Sequence, residues 1–204
     1  MQNELLALIL PISIFTVIAT ITPGPNNILL AHSGAYFGIK KTIPHILGIR
    51  IGMIFLQTSI LFGLGQLFIT WPKVQFLLSL IACIYILKLA VTISRAKPPS
   101  SNKVHQPFNI IQAAGFQLIN PKSWTMLLTA SSAFTLTGEL YWSSAFLSIL
   151  LFNTVSIPCA FVWVTIGKLI ADKLQEPNFN QKFNFTMAAL LLLTIPMIFI
   201  SETL

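Results

Sequence analysis

The chain has 204 residues, 55% of them hydrophobic and only 8% charged, with a mean hydropathy of +0.81. A water-soluble domain carries about 25% charged residues, so the composition excludes an ordinary soluble enzyme or binding module. The formal charge is +7, but most of the bases sit in short loops between apolar runs, where they orient a membrane chain and do not form a nucleic-acid surface.

Six apolar runs approach the ~20 residues that a spanning helix needs. In chain order they are Leu5–Ile21 with a continuation to Phe37, Ile43–Ile69, Val74–Ile93, Ile110–Leu136, Tyr141–Ile166 and Phe183–Ile200. The chain starts Met1-Gln2-Asn3-Glu4, with an acid where a signal peptide would be basic, so the first helix is expected to be kept. The first run is interrupted by Thr22-Pro23-Gly24-Pro25-Asn26-Asn27. Two prolines and a glycine stop a helix, and broken backbone at membrane depth is tolerated only inside protein or beside a cavity. The two carboxamides there supply donors and acceptors. The reading is a helix opened to make a binding gap.

Lys40 and Lys41 fall in the first loop, Arg95, Lys97 and Lys103 in the third, and Lys168, Lys173 and Lys182 in or beside the fifth. The second loop holds only Lys73, and the fourth holds Glu139 with no base. This bias puts loops one, three and five in the cytoplasm and both termini outside. Trp71 and Tyr141-Trp142 then fall at the outer surface as aromatic anchors. Cys83 and Cys159 sit in apolar runs without a Cys-x-x-Cys pair and read as small core residues.

The Pro-, Ser- and Lys-rich stretch 96–107 is expected to be a cytoplasmic linker between two three-helix membrane repeats, residues 1–95 and 108–204. The first segment of the second half breaks at Asn120-Pro121-Lys122, echoing the first break. Three spans per half is odd, so the halves enter the membrane from opposite sides. The expected fold is therefore all-α, polytopic, with six transmembrane helices in two inverted repeats, each with an interrupted first helix. Interruptions at matching places in such halves point to a transporter's binding site.

Thr22-Pro-Gly-Pro-Asn-Asn27, the following basic loop, the Gly48-x-x-x-Gly52 span and Asn120-Pro121-Lys122 together resemble the LysE/RhtB family of amino-acid exporters. The resemblance covers essentially the whole chain, and Ile21–Leu30 looks closest to the branch exporting cysteine and O-acetylserine. It implies a bacterial inner-membrane protein that moves amino acids outward, with Pro23, Gly24, Pro25, Asn26, Asn120, Pro121 and Lys122 lining or shaping the pathway. One position departs from the common pattern: many members carry an acid beside the glycine corresponding to Gly52, where this chain has Met53. The acids Glu4, Glu139, Asp172, Glu176 and Glu202 all lie at segment ends or in loops. No span offers a carboxylate to a cationic substrate, which favours a neutral zwitterion.

Several residues carry two readings. Asn26 and Asn27 bind substrate or cap the resuming helix, whose N-terminus itself favours a carboxylate. Lys122 is a counter-ion for that carboxylate or snorkels to the interface. Arg50 clamps a carboxylate bidentately or is an interfacial charge, and Lys88 is expected to snorkel. His32 and His45 could carry protons, but their place in or beside the first loop leads us to expect solvated histidines. Their spacing of thirteen is no helical metal pair, and no metal or cofactor is expected. The small-residue groups Gly48/Gly52, Gly63/Gly65 and Ala113-Ala114-Gly115 read as helix-packing surfaces.

The expected function is secondary transport of small neutral amino acids or close derivatives by alternating access. The alternatives are a passive channel and an intramembrane enzyme; no nucleophile–base pair supports the latter. The expected partners are the amino-acid substrate and the lipid bilayer, with a homodimer left open and no nucleic acid.

Overall fold

The structure, a computed structural model, describes residues 2–65, 70–97 and 106–196. Most of the expected linker 96–107 lies outside the described residues, as do the far ends of the second and sixth expected spans. The described residues form α1 (Gln2–Ile21), α2 (Pro25–Ser59), α3 (Pro72–Ser94), α4 (Ile110–Ile119), α5 (Pro121–Ala133), α6 (Tyr141–Leu169) and α7 (Pro177–Leu192). A π turn, Ile60–Leu64, extends α2, and short 3-10 turns precede α6 and α7. Helices α2, α3, α5 and α7 begin on proline, whose missing N–H costs nothing in the first turn.

The bundle shows an apolar exterior around a core that is largely apolar but carries many buried polar side chains. Gln57, Gln117, Ser123, Ser148 and Asn184 are fully buried, while Leu10, Phe62, Phe146 and Leu169 are each more than 60% exposed. Apolar exteriors with polar side chains kept inside are what lipid as solvent selects. Among the described residues, four helical stretches are long and apolar enough to cross a membrane: Asn3–Ile21, Pro25–Leu64, Phe76–Ser94 and Gly138–Leu169. The expected single run Ile110–Leu136 is two shorter helices, α4 and α5, hinged at Asn120.

The expected loop at Lys40-Lys41 is replaced by one residue. Gly38 adopts φ 73° and ψ 175°, a region that only glycine occupies comfortably. In a straight helix Leu30 and Ile49 would lie about 28 Å apart and Ser33 and His45 about 18 Å. Instead Ser33 Oγ lies 3.2 Å from His45 Nδ1, and Leu30 shares a cavity with Ile49. Gly38 thus folds α2 back on itself into two arms, 25–37 and 39–59. The second arm starts four residues before the expected Ile43, because both lysines join the helix.

Helix directions follow from residue pairs. Arg50 meets Ser156 and Gln57 meets Ser148, so the second arm of α2 is antiparallel to α6. Phe15 faces Phe152 and Trp163 donates to Ile21 O, so α1 runs parallel to α6. A Cβ on Gly48 would lie 2.5 Å from Ile110 O, and one on Gly52 would lie 2.5 Å from Ala114 O. The second arm of α2 therefore lies backbone-to-backbone along α4 and parallel to it, which only glycine permits. Helices α1 and α4, which lead into the two breaks, consequently run in opposite directions. A second close crossing joins Gly34 to Val164 and Gly167 to Ala31, and α3 packs on α7.

Candidate functional site

The two breaks meet. Helix α1 ends at Ile21, and α2 restarts at Pro25 with Gly24 as its N-cap and no side-chain cap. The first intrahelical bond is Ile28 N–H to Gly24 O, 3.0 Å, so the N–H groups of Asn26 and Asn27 precede it as free first-turn donors. Helix α4 ends and α5 starts at one shared residue, Asn120, whose Oδ1 accepts from Lys122 N–H at 3.2 Å. The first break is a three-residue gap; the second is a self-capped hinge.

Neither asparagine of the first break caps α2, contrary to one expectation. Asn27 Nδ2 donates backwards to Thr20 O and Thr22 O, both at 2.7 Å, and holds the end of α1 against the start of α2. Asn26 forms a reciprocal amide pair with Gln117 of α4: Asn26 Nδ2 donates to Gln117 Oε1 at 2.8 Å, and Gln117 Nε2 donates to Asn26 Oδ1 at 3.1 Å. Ser123 Oγ, from α5, also donates to Gln117 Oε1 at 2.8 Å. One buried glutamine therefore ties both breaks together.

Lys122 reaches across to the first break. Its Nζ donates to Thr22 O and Thr22 Oγ1 at 2.8 Å each and to Pro23 O at 3.1 Å. Three acceptors match the three donors of an ammonium, and a cation is favoured at the carbonyl end of α1. The Lys122 stem lies close over Gly24, where an added Cβ would stand 2.6 Å from Lys122 Cδ.

Arg50 is differently placed. It is 9% exposed, sits in the second arm of α2 and donates through Nη1 to Ser156 Oγ of α6. Its Nε is buried without a hydrogen-bond partner. A buried guanidinium has strong reason to take an anion in its fork. The interfacial reading of Arg50 does not fit this burial.

Gly24, Asn26, Asn27, Arg50, Asn120 and Lys122 all line one cavity, and Pro23, Pro25 and Pro121 shape the breaks that frame it. No acidic side chain lines it among the described residues. Its free volume is about 20 Å³, room for one or two waters and less than an amino acid needs. Among the described residues no group of three metal-ligating side chains occurs.

The model of the LysE type translocator family matches residues 17–203, so the match starts in the last turns of α1 and runs through both breaks and every later helix. The chain belongs to the LysE type translocator family. It is a multi-pass membrane transport protein and not an enzyme. This translocator is 28% identical over 183 residues to a cysteine/O-acetylserine efflux protein of Klebsiella pneumoniae, covering 87% of the chain and 89% of that relative. Proteins of the same description from Salmonella choleraesuis and Salmonella paratyphi A are 30% and 31% identical over 184 and 185 residues, each covering 87% of this chain and 90% of the relative. No solved structure matches the translocator.

Sequence reasoning missed Gln117 and Ser156. Gln117 lies one turn before Asn120 on a small-residue helix, and a polar residue in that apolar run was the available signal. Ser156 gave none, since serine packs freely in membrane helices. The solvated-histidine expectation fails for His45, which is 1% exposed: the chain reverses at Gly38, so this residue lies inside the hairpin and not in a loop. His32 is partly buried and stacks on Tyr36 with ring centroids 4.4 Å apart.

Proposed function

We propose that this translocator is a secondary transporter that exports small neutral amino acids or close derivatives, of the cysteine or O-acetylserine type, across a bacterial inner membrane. The observation that carries the reading is the cavity where the breaks meet, with Arg50 Nε unpartnered beside the uncapped start of α2. The substrate carboxylate sits between the Arg50 guanidinium and the N–H groups of Asn26 and Asn27, where full and partial positive charges converge. The ammonium faces Thr20 on the α1 side of the cavity. The extra side-chain cation of lysine or arginine would find no counter-charge in this cavity, which has no acidic lining residue among those described, and this favours an amino acid of zero net charge. The names of the efflux relatives support the same substrate class.

In this reading the protein works by alternating access of two inverted three-helix halves, residues 1–95 and 108–204. The opposed directions of α1 and α4 support it, as does a parallel in layout. Each break is followed by a proline-started arm, Pro25–Phe37 or Pro121–Ala133, then by a positive-φ glycine, Gly38 or Gly138, and a long helix. Loops one, three and five face the cytoplasm and the termini face outward. The closed cavity is one stage of the cycle, and Lys122 leaves Thr22 and Pro23 when the gap opens to one side.

Counterflow in proteoliposomes tests the proposal, with labelled cysteine, O-acetylserine and lysine. Saturable counterflow of the first two, with lysine slower by about 10-fold or more as expected for one uncompensated buried charge interaction, is the predicted outcome. Absence of counterflow for every neutral amino acid overturns it, and flux that never saturates identifies a passive channel instead.

A further inference from the structure

The cavity between the breaks is layered. Its polar lining, centred on Thr20, Asn27, Arg50, Lys122 and Ser156, lies between two sets of apolar side chains. On one side are Ala19, Met53 and Met126, and on the other are Leu30, Ile49 and Ala160. On the transporter reading above, we propose that Ala19, Met53 and Met126 form the subsite that receives the substrate's side chain. The two methionines then set which neutral amino acids fit.

Helix directions separate the two sets. Arg50 meets Ser156 and Gln57 meets Ser148, whereas Gly52 approaches Gln117 and Gly65 approaches Leu128. The second arm of α2 therefore runs against α6 and alongside both α4 and α5, and α1 runs with α6. Residues after Arg50 on α2, after Lys122 on α5 and before Thr20 on α1 consequently lie on the same side of the polar layer. Met53 and Met126 follow Arg50 and Lys122 by about one helical turn, and Ala19 immediately precedes Thr20. Ile49 precedes Arg50, Ala160 follows Ser156, and Leu30 lies beyond Asn27 in the first arm of α2. Those three fall on the opposite side.

Two observations carry the choice of side. The free N–H groups of Asn26 and Asn27 precede the first intrahelical bond and point back along the α2 axis, away from Leu30. A carboxylate held there leaves the rest of the molecule to extend away from the first arm, toward Ala19, Met53 and Met126. The second observation is compliance. With only about 20 Å³ free, the lining itself must yield to admit an amino acid. Leu30 and Ala160 flank the close backbone crossing of Gly34 on Val164 and of Gly167 on Ala31, and Ile49 is β-branched and 1% exposed. Met53 and Met126 are 1% and 9% exposed and pack in the apolar core. Methionine is unbranched and fills irregular space, and its thioether gives up little hydrogen bonding when it changes rotamer.

The chemistry of this subsite selects a class of side chain. Two thioethers and a methyl group favour an apolar or weakly polar group such as a thiol, a thioether or a short ester. A charged or carboxamide side chain would lose its hydration there without a partner. Ala19 keeps one wall short, so a β-branched residue at that position would fill the space a substrate needs. Walls that yield admit a graded range of sizes, whereas a rigid wall cuts off sharply. One methylene gained or lost in an apolar pocket changes selection by about 10-fold or more.

The test uses the full chain in proteoliposomes and compares counterflow of labelled cysteine, O-acetylserine and leucine below saturation. The readout is the ratio between substrates, which a loss of folded protein does not move. Met126→Ala enlarges the subsite and should raise leucine relative to cysteine by about 10-fold or more. Ala19→Val fills it and should lower O-acetylserine relative to cysteine by a similar factor. Met126→Leu guards against a Met126→Ala that fails to fold: it conserves volume, stiffens the wall and should lower O-acetylserine relative to cysteine. Ile49→Val removes one methylene on the opposite side and should scale all three substrates alike. Unchanged ratios in Ala19→Val and Met126→Leu overturn the proposal, and so does a shift in Ile49→Val as large as theirs. Absence of counterflow in wild type for every substrate overturns the transport reading on which the subsite rests.

Discussion

The two breaks have similar sequences and different structures. At Thr22–Gly24 the helix stops for three residues, and its successor begins with no side-chain cap. At Asn120 the helix turns on one residue that caps its own successor. The first break leaves donors unspent beside a cavity, whereas the second has used its own. A break by itself is therefore no binding site. What matters is which hydrogen-bonding groups remain free once the local structure has been satisfied, and by that measure we assign the proposed ligand-facing side to the first break together with Arg50.

Substitutions can separate the breaks. The largest effect is expected at Arg50, where Arg50→Ala should lower counterflow by roughly 100-fold through loss of charge-assisted hydrogen bonds to the substrate. Arg50→Lys should recover only part of it, because the fork is lost; full recovery would show that charge alone suffices. Gly52→Ala places a Cβ 2.5 Å from Ala114 O and 2.7 Å from Gln117 Cγ. The forced separation of α2 from α4 should cost about 1–3 kcal/mol, read as a lower melting temperature in detergent, and should disturb Asn26 through Gln117. Lys122→Met removes the ammonium that links the second break to the first and should slow counterflow by about 10-fold, the worth of a charged hydrogen bond. If Lys122→Met transports normally, the link between the breaks is dispensable. The smallest effect belongs to Asn120→Ala, which loses one helix cap and should cost about 1 kcal/mol of stability while substrate affinity changes little. A large rise in KM there would make the second break a binding element as well and erase the contrast.

The breaks were legible because proline and glycine disrupt helices through their own backbone chemistry, whatever surrounds them. That local certainty singled out Gly24, Asn26, Asn27, Asn120 and Lys122, which the structure brings to one cavity, and the Gly48-x-x-x-Gly52 spacing drew attention to Arg50 between them. Which partner each side chain takes was not legible. The three acceptors of Lys122 are the end of a helix a hundred residues earlier, and the amide partner of Asn26 is a glutamine of another helix. The reversal at Gly38 was also missed in its form: two adjacent lysines suggested a solvated loop, while one glycine in an otherwise helical stretch was enough to turn the chain. With the turn misplaced, His45 was read as a surface residue.

That glycine has a further consequence for biogenesis. From Pro25 to Leu64 the chain is forty residues of helix with high mean hydropathy, which as one rod would be about 60 Å long, twice the hydrocarbon thickness. An insertion machinery reading hydrophobicity alone has no reason to divide it. Gly38 supplies the bend, and Lys40 and Lys41 hold that bend at a polar boundary. Nothing lies within 4 Å of a Cβ built on Gly38, so Gly38→Ala would meet no clash in the finished bundle. The strain would fall on the backbone of the newborn hairpin, and the damage would be a helix threaded through the bilayer in the wrong register, before there is a binding site to impair.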